Sequence, residues 1–420
     1  MPLPQSTLAS SQIPAGGHPL RVCQVINCIN EHVGGPSLSV PSLATTLSLH
    51  GIESHLCTMD NYWSGQQVRV EGVHFYSQRS QLPARYLRGL QPSFSRALKD
   101  LAASSLDIIH NHGLWMFTNV YARQIANQHQ LPLVISPRGM LQAWSMKYSW
   151  HKKWLAWHLY EQKNLASATI FHATSDSEAE SIRALGFKQP IALIPNGVSV
   201  VNANQVPPRN LLEQKFPELA DKRWLLCLCR LHPKKGLDQL LQVWQNLASN
   251  YPDWHLIIAG PNMIGYLETL HDLTTELDLQ HRVTYTGMIS GDLKAAALGH
   301  AELFVLPTHS ENFGIAIAEA LMYGIPVITT TGTPWQDLQR HQCGWWIEKR
   351  EPTLTAALIE GLELSLQDRQ AMGQRGAALV KDKYSWQAVG EQMVAVYRWI
   401  HQGGEPPSYV HFPKDIELKP

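Results

Sequence analysis

Two glutamates eight positions apart, Glu311 and Glu319, bracket the run Asn312-Phe313-Gly314-Ile315. An apolar stretch, 303–306, leads into a polar loop at Glu311, and helical spacing begins near Gly314. The unpaired N–H groups of such a helix start carry the positive end of its dipole and favour phosphate or sugar oxygens. Gly314 lets a ligand come close to the backbone. At about 1.5 Å per residue the two carboxylates stand about 8 Å apart along the axis, far enough to grip different parts of one elongated ligand. On spacing alone, a Glu311 that favours the dipole and a solvated Glu319 explain the pattern at least as well.

A second polar turn, Arg230-Leu231-His232-Pro233-Lys234-Lys235-Gly236, follows the apolar run 224–229 and precedes the helically spaced Leu237, Leu240, Leu241 and Trp244. Arg230 at a strand end and Lys235 before a helix put two cations where the dipole is also positive, which suits a diphosphate. Ordinary loop cations would read the same in isolation.

The amino-terminal half offers a glycine pair, Gly34-Gly35, after its first apolar run, and His112 just past the run 107–110. The glycines allow a tight turn near a ligand, and His112 has the chemistry for proton or hydrogen-bond work if it faces a cleft. A satisfied structural histidine fits as well. His110 and His112 have no third ligand at an obvious spacing, so no metal site is expected there. Arg138, after 133–136, is a further candidate for an anionic acceptor, or for pairing with a neighbouring carboxylate. No G-x-G-x-x-G follows the first run and no G-x-x-x-x-G-K-[ST] occurs, which argues against a dinucleotide dehydrogenase and a P-loop ATPase.

Residues 144–157 interleave Trp and Lys without a single acid. Such a segment suits a headgroup layer, yet Trp150, Trp154 and Trp157 are spaced as on the buried face of a core helix.

These residues need elements to hold them. The chain has 420 residues, 44% hydrophobic, enough for two cores of roughly 200 residues each. From residue 21 it repeats a short apolar run, a turn and a helically spaced stretch, the pattern of parallel βαβ units, so the fold class is α/β. Strands are expected at 21–26, 54–58, 68–76, 107–110, 133–136, 169–173 and 191–195, then at 223–229, 255–259, 282–286, 302–306 and 326–330. Helices are expected at 37–50 and 148–166. The polar stretch 198–209 reads as the linker, and a site is expected in the cleft between two sets of strand ends.

Lys plus Arg equals Asp plus Glu at 34 each, so no net field gathers nucleic acid. The six cysteines show no metal or disulfide spacing and read as reduced core residues. Residues 1–20 lack the basic start and apolar run of a signal peptide and read as a loose arm, and no eighteen apolar residues run together. A cytoplasmic protein is the expectation, with peripheral contact at the inner face of a membrane as the alternative to burial of 144–157.

Taken together, the segments resemble glycosyltransferase family 4, whose members have the GT-B fold of two facing Rossmann-like domains. The likeness is strongest over 190–400 and rests on Ile194-Pro195-Asn196-Gly197-Val198, on Arg230 with Lys235-Gly236, on 283–287, and on the E-x7-E of Glu311 and Glu319. It implies an amino-terminal domain over 21–198, completed by a helix at about 385–402, a nucleotide-sugar domain over 199–384, and a tail at 403–420.

By that resemblance Arg230 and Lys235 hold the donor diphosphate and Glu319 the ribose. Glu311, with the backbone of Asn312, Phe313, Gly314 and Ile315, holds the transferred sugar, Gly287 and Met288 meet the base, and Gly35 and His112 match the family's glycine loop and cleft histidine. The implied activity is retaining, metal-independent transfer from a nucleotide-sugar to a glycan or lipid-linked glycan, as in polysaccharide-assembly members, with no cofactor. Where many members have a glycine-rich turn and an acid, this chain has Thr331-Gly332-Thr333-Pro334-Trp335, which leaves phosphate contacts there in doubt. A nucleotide-sugar 2-epimerase of the same fold and a non-catalytic glycan-binding protein are the rivals; release of an altered sugar without acceptor, or binding without turnover, would mark them.

Overall fold

The computed structural model describes residues 18–413 apart from 62–64, 82–86, 203–204 and 263, and without the side chains of His32 and Ser105; most of the expected arm at 1–20 lies outside them. Two parallel sheets form the frame. The first contains β1 (Arg21–Cys28), β2 (Glu53–Asp60), β3 (His74–Arg79), β4 (Ile108–His112), β5 (Leu133–Ser136), β6 (Ile170–Ala173) and β7 (Ile191–Leu193). Its order is β3-β2-β1-β4-β5-β6-β7. The second contains β8 (Arg223–Leu228), β9 (Trp254–Ala259), β10 (Val283–Gly287), β11 (Leu303–Leu306), β12 (Val327–Thr330) and β13 (Gly344–Ile347), in the order β10-β9-β8-β11-β12-β13.

Each sheet therefore reverses direction once, between β1 and β4 in the first and between β8 and β11 in the second. Loops leaving neighbouring strands on opposite sides of such a switch point diverge and open a crevice at the strand carboxyl ends. The Gly34-Gly35 loop follows β1, His112 is the last residue of β4 and not just past the strand as expected, and the Lys235 and Glu311 loops follow β8 and β11.

Near-continuous apolar strands bury both faces under helices, as parallel sheets require. The second core centres on Trp224, Trp244, Trp254 and Phe304, all at most 1% exposed. All six cysteines are buried free thiols. The helix Trp386–Gln402 returns to the first half and packs Val389, Met393 and Tyr397 against Leu43 and Leu47 of the helix Gly35–Leu49. Gly197 makes the crossing tight, since a β-carbon there would lie 2.3 Å from the Trp386 ring.

Several expectations are corrected. Residues 68–72 are not in a strand; β3 begins at His74, and a lone bridge joins Gln67 to Asn30. Strand β13 was not foreseen. Within the expected tail, Val410–His411 form β14 and pair antiparallel with β7, so that part of the chain belongs to the first sheet.

The expected helix 148–166 is interrupted. Ser149 takes a left-handed φ of 52°, the helix Trp150–Ala156 follows, and a π-helical turn at Trp157–Glu161 leads into Gln162–Ala166. Only Ala156 of its first segment is buried, in the first core; Lys153 lies over the core Trp115 ring, and the other residues of the segment face outward. Trp157 packs on the first core, whereas Trp150 and Trp154 are 66% and 60% exposed. The core-helix explanation of the three tryptophans thus holds for Trp157 alone.

Candidate active site

Two loops of the second sheet are stitched together before any charge is considered. The Lys234 carbonyl accepts the His309 N–H at 2.8 Å and the Thr308 hydroxyl at 3.1 Å. Gly236, at φ 66°, lies against Pro307, where a β-carbon would come within 2.4 Å of a carbonyl oxygen. His232 caps the short turn Pro233–Lys235 by accepting the Lys234 N–H at Nδ1, 3.0 Å away. The loops after β8 and β11 therefore share one geometry.

This stitching brings the Lys235 ammonium onto Glu311, where Nζ donates to Oε1. Their side chains are only 9% and 20% exposed. Burial, joined by the neighbouring Arg230 and Lys234 cations and opposed by the nearby cysteines, pushes Lys235 down to about 8. Arg230 is exposed and has no hydrogen bond or ion pair among the described residues. It faces the glycine loop, since a β-carbon on Gly34 would lie 3.9 Å from its guanidinium, and one on Gly35 would lie 3.5 Å from Ile315. The glycine loop of one sheet thus fronts the cations and helix start of the other.

Gly314 has φ 85° and caps the helix Ile315–Met322, which carries Glu319. The loop before it is braced by the Thr331–Trp335 turn. Gly332 accepts the Glu311 N–H at 2.8 Å, and the buried Trp335 indole donates to the Phe313 carbonyl at 2.5 Å. The turn that departs from the family pattern supports the site residues from behind. Glu319 pairs with Lys294 at 2.6 Å beside a groove of about 160 Å³ that Ser199 and Tyr323 also line. Gly287, at φ 68°, ends β10 with open space at its α-carbon, and Met288 is 40% exposed beside it.

On the first sheet, His112 is only 2% exposed and both its ring nitrogens are engaged. Nε2 lies 2.7 Å from Gln24 Oε1, an acceptor, so Nε2 carries the proton; Nδ1 accepts from Arg138 at 3.1 Å. Burial, with His110 and Arg138 adding to it, holds His112 well below the usual imidazole range. The ring is therefore neutral and does not stand open to the cleft, as a satisfied structural histidine would be; of the proton and hydrogen-bond roles the sequence offered, this geometry suits the second. Arg138, at φ 55°, spends its guanidinium on His112 and on Asn196 Oδ1 at 2.5 Å. Burial lowers it to about 10. It finds amide and imidazole partners, not the carboxylate that the sequence left open. Tyr397, from the returning helix, holds Gln24 and His110 at 3.1 and 2.7 Å.

The two halves touch through Asn312. Its Nδ2 donates across the cleft to Thr174 Oγ1 at 2.7 Å and to Glu178 at 3.2 Å, and its Oδ1 accepts from Gln142 at 3.2 Å. Glu178 also takes the N–H groups of Gly139 and Thr174, at 2.5 and 2.8 Å. Sequence reasoning missed Glu178, Lys294 and Trp335. For Glu178 a signal existed, because Ser175-x-x-Glu178 has the form of a capping box, and Ser175 does cap the helix Asp176–Ala184.

The arrangement offers cations and a helix start for a diphosphate, a carboxylate within reach of them, and a second carboxylate one and a half turns on.

Comparison with known proteins agrees with this layout. Residues 34–197 match the family model of the glycosyl transferase 4-like domain, and residues 209–378 that of the glycosyl transferases group 1. The chain is 25% identical over 382 residues to an uncharacterized glycosyltransferase of Methanocaldococcus jannaschii, covering 87% of this chain and 94% of that protein. It is 24% identical over 390 residues to the GDP-mannose:cellobiosyl-diphosphopolyprenol alpha-mannosyltransferase of Xanthomonas campestris, covering 90% and 96%. Among solved structures, a sucrose-phosphate synthase from Thermosynechococcus elongatus superposes with a TM-score of 0.73 at 19% identity, covering 92% of this chain and all of that one. An Anabaena protein in complex with UDP-glucose gives 0.69 at 17% identity, covering 89% and 98%.

Proposed function

Because the chain is a GT-B glycosyltransferase with a 4-like domain followed by a group 1 domain, we propose that it transfers a sugar from its nucleotide-sugar donor with retention of configuration, without a metal, to a lipid-linked glycan. The observation that carries this reading is the Lys235–Glu311 pair facing Arg230 at the switch point of the second sheet.

In this mechanism Arg230, Lys235 and the N–H groups at Gly314 and Ile315 offset the charge that grows on the leaving diphosphate. Glu319 holds the ribose hydroxyls, with Lys294 fixing its rotamer. Glu311 and the backbone of Asn312 and Phe313 hold the transferred sugar, and Gly287 and Met288 meet the base. Gly35 lets the first domain approach the diphosphate. The acceptor hydroxyl attacks on the face that the leaving group vacates and gives its proton to the departing phosphate oxygen. Contacts such as those of Asn312 keep the two domains closed and exclude water. His112 acts as a neutral hydrogen-bonding ring that orients Arg138 towards the acceptor side.

The preference for a lipid-linked acceptor rests on the projecting segment. Tyr148, Trp150, Trp154, Leu155 and Leu159 are each more than half exposed, with Lys147 and Lys152 exposed among them. Cations and indoles without acids suit the anionic face of a bilayer, which would put the enzyme on the inner surface of a membrane. No helix among the described residues is long and apolar enough to cross one.

The test is a binding and hydrolysis screen against UDP-, GDP- and ADP-sugars in EDTA. Stabilisation by one nucleotide with slow release of diphosphate supports the reading. A folded protein that binds none of them overturns it, and activity restored only by added Mg²⁺ overturns the metal-independent part.

A further inference from the structure

At the amino-terminal ends of β2 and β3, on the far edge of the first sheet from the cleft, three metal-ligating side chains meet. Glu53 and His55 alternate onto one face of β2, and His74 is the register partner of His55 on β3. Their donor atoms all lie within 4.8 Å of one another. His55 is 4% exposed; its buried Nδ1 has no hydrogen-bond partner, and Nε2 has only the Glu53 carboxylate, 3.3 Å away. With Nε2 turned to Glu53, Nδ1 is left as a buried polar atom without a partner. Such an orphan calls for a group that is not protein.

The spacing suggests which group. His55 Nε2 and Glu53 Oε1 are 3.3 Å apart. A nitrogen and an oxygen each bound at about 2.05 Å to a tetrahedral zinc ion are about 3.3 Å apart. The other Glu53 oxygen, Oε2, accepts from Arg21 Nε at 3.1 Å, so the carboxylate is held with Oε1 turned to His55. Carboxylate ligands are commonly fixed by an outer hydrogen bond of this kind. His74 is exposed and stacked on His55 with ring centroids 4.7 Å apart, free to turn a nitrogen inward and leave a fourth position to water.

We propose that Glu53, His55 and His74 form a binding site for a divalent transition-metal ion of the zinc type, separate from the sugar-transfer site. Two imidazoles and one carboxylate favour zinc, cobalt or nickel over magnesium or calcium, which take all-oxygen sets. The bound ion ties the edge strand β3 to β2 and satisfies the buried ring.

The test uses the full chain, stripped with a chelator and titrated with Zn²⁺ by calorimetry and with Co²⁺ by visible absorption. The expected result is one ion per chain, intense Co²⁺ bands of tetrahedral type and a raised melting temperature. H74A, at an exposed position, should weaken Zn²⁺ binding by at least about tenfold and abolish the Co²⁺ bands. E53Q should weaken binding as well. Absence of saturable binding by the wild type, or H74A and E53Q titrating like the wild type, overturns the proposal. Donor hydrolysis in EDTA, run beside it, reports on sugar transfer independently, so either reading can fail alone.

Discussion

Lys235 donates to the carboxylate of Glu311, so two charges that the family resemblance assigns to different parts of the donor compensate each other directly. A donor diphosphate arriving at Arg230 meets a lysine already oriented, with little rotamer freedom left to lose.

Removing one member of this pair should separate stability from turnover. K235M leaves the Glu311 carboxylate unpaired and is expected to destabilise the protein by about 1–3 kcal/mol and to lower kcat/KM by at least about 100-fold. The K235M/E311Q double variant should regain most of the stability and none of the turnover. Chemical denaturation beside steady-state kinetics checks both; an active K235M removes Lys235 from the mechanism.

The pH dependence has two opposite signs. Lys235 is held at about 8, below the ordinary lysine value, so the folded protein binds fewer protons than the unfolded chain between about pH 8 and 10.4. The cost of burying this cation is fully present below that window and is relieved as pH rises through it; it is set against the Glu311 contact that K235M removes. Donor binding needs the cation, so its Kd should be flat below about pH 8 and climb above it by up to tenfold per unit. Calorimetric titration of the donor from pH 6.5 to 9.5 reads this break, which K235M should lack.

Asn312 joins the domains through Thr174 and Glu178. N312D sets a carboxylate against Glu178 and should open the cleft, seen as a larger radius of gyration by small-angle scattering and about a tenfold loss of turnover. An unchanged radius with unchanged turnover would deny Asn312 a closing role.

The projecting aromatics should matter only at a membrane. W150A and W154A should each weaken binding to vesicles containing anionic lipid by about tenfold and leave donor hydrolysis in solution unchanged. Equal sedimentation of wild type and double variant with such vesicles would remove this surface from the lipid-acceptor argument.

Trp335 tests the brace behind the site. It is 1% exposed and holds the Phe313 carbonyl, so W335A should cost about 3–5 kcal/mol of stability by denaturant melting. W335F, which keeps most of the volume but loses the N–H, should cost less stability and still raise the donor KM.

Most of both sheets was legible because buried parallel strands are short apolar runs between Gly-rich turns, as at Leu133–Ser136 and Leu303–Leu306. The misses have local causes. Strand β13, Gly-Trp-Trp-Ile, is half-buried throughout and sits among polar residues. Residues 68–72 alternate like a strand but lie outside the sheet, and β14 is too short to carry a period.

The candidate site divides the same way. The sequence by itself determined the types and order of the chemical groups, the glycine turns beside them and the strands that end there, because local patterning encodes each of these within a dozen residues. Only the tertiary structure decided that Lys235 meets Glu311, that His112 turns inward to Gln24 and Arg138, that Trp150 and Trp154 face outward, and that Asn312 reaches across to Glu178. Those outcomes depend on which loops leave neighbouring strands and on which face of an element finds a core. That is a property of sheet order and packing between residues tens to hundreds of positions apart, and no local pattern carries it.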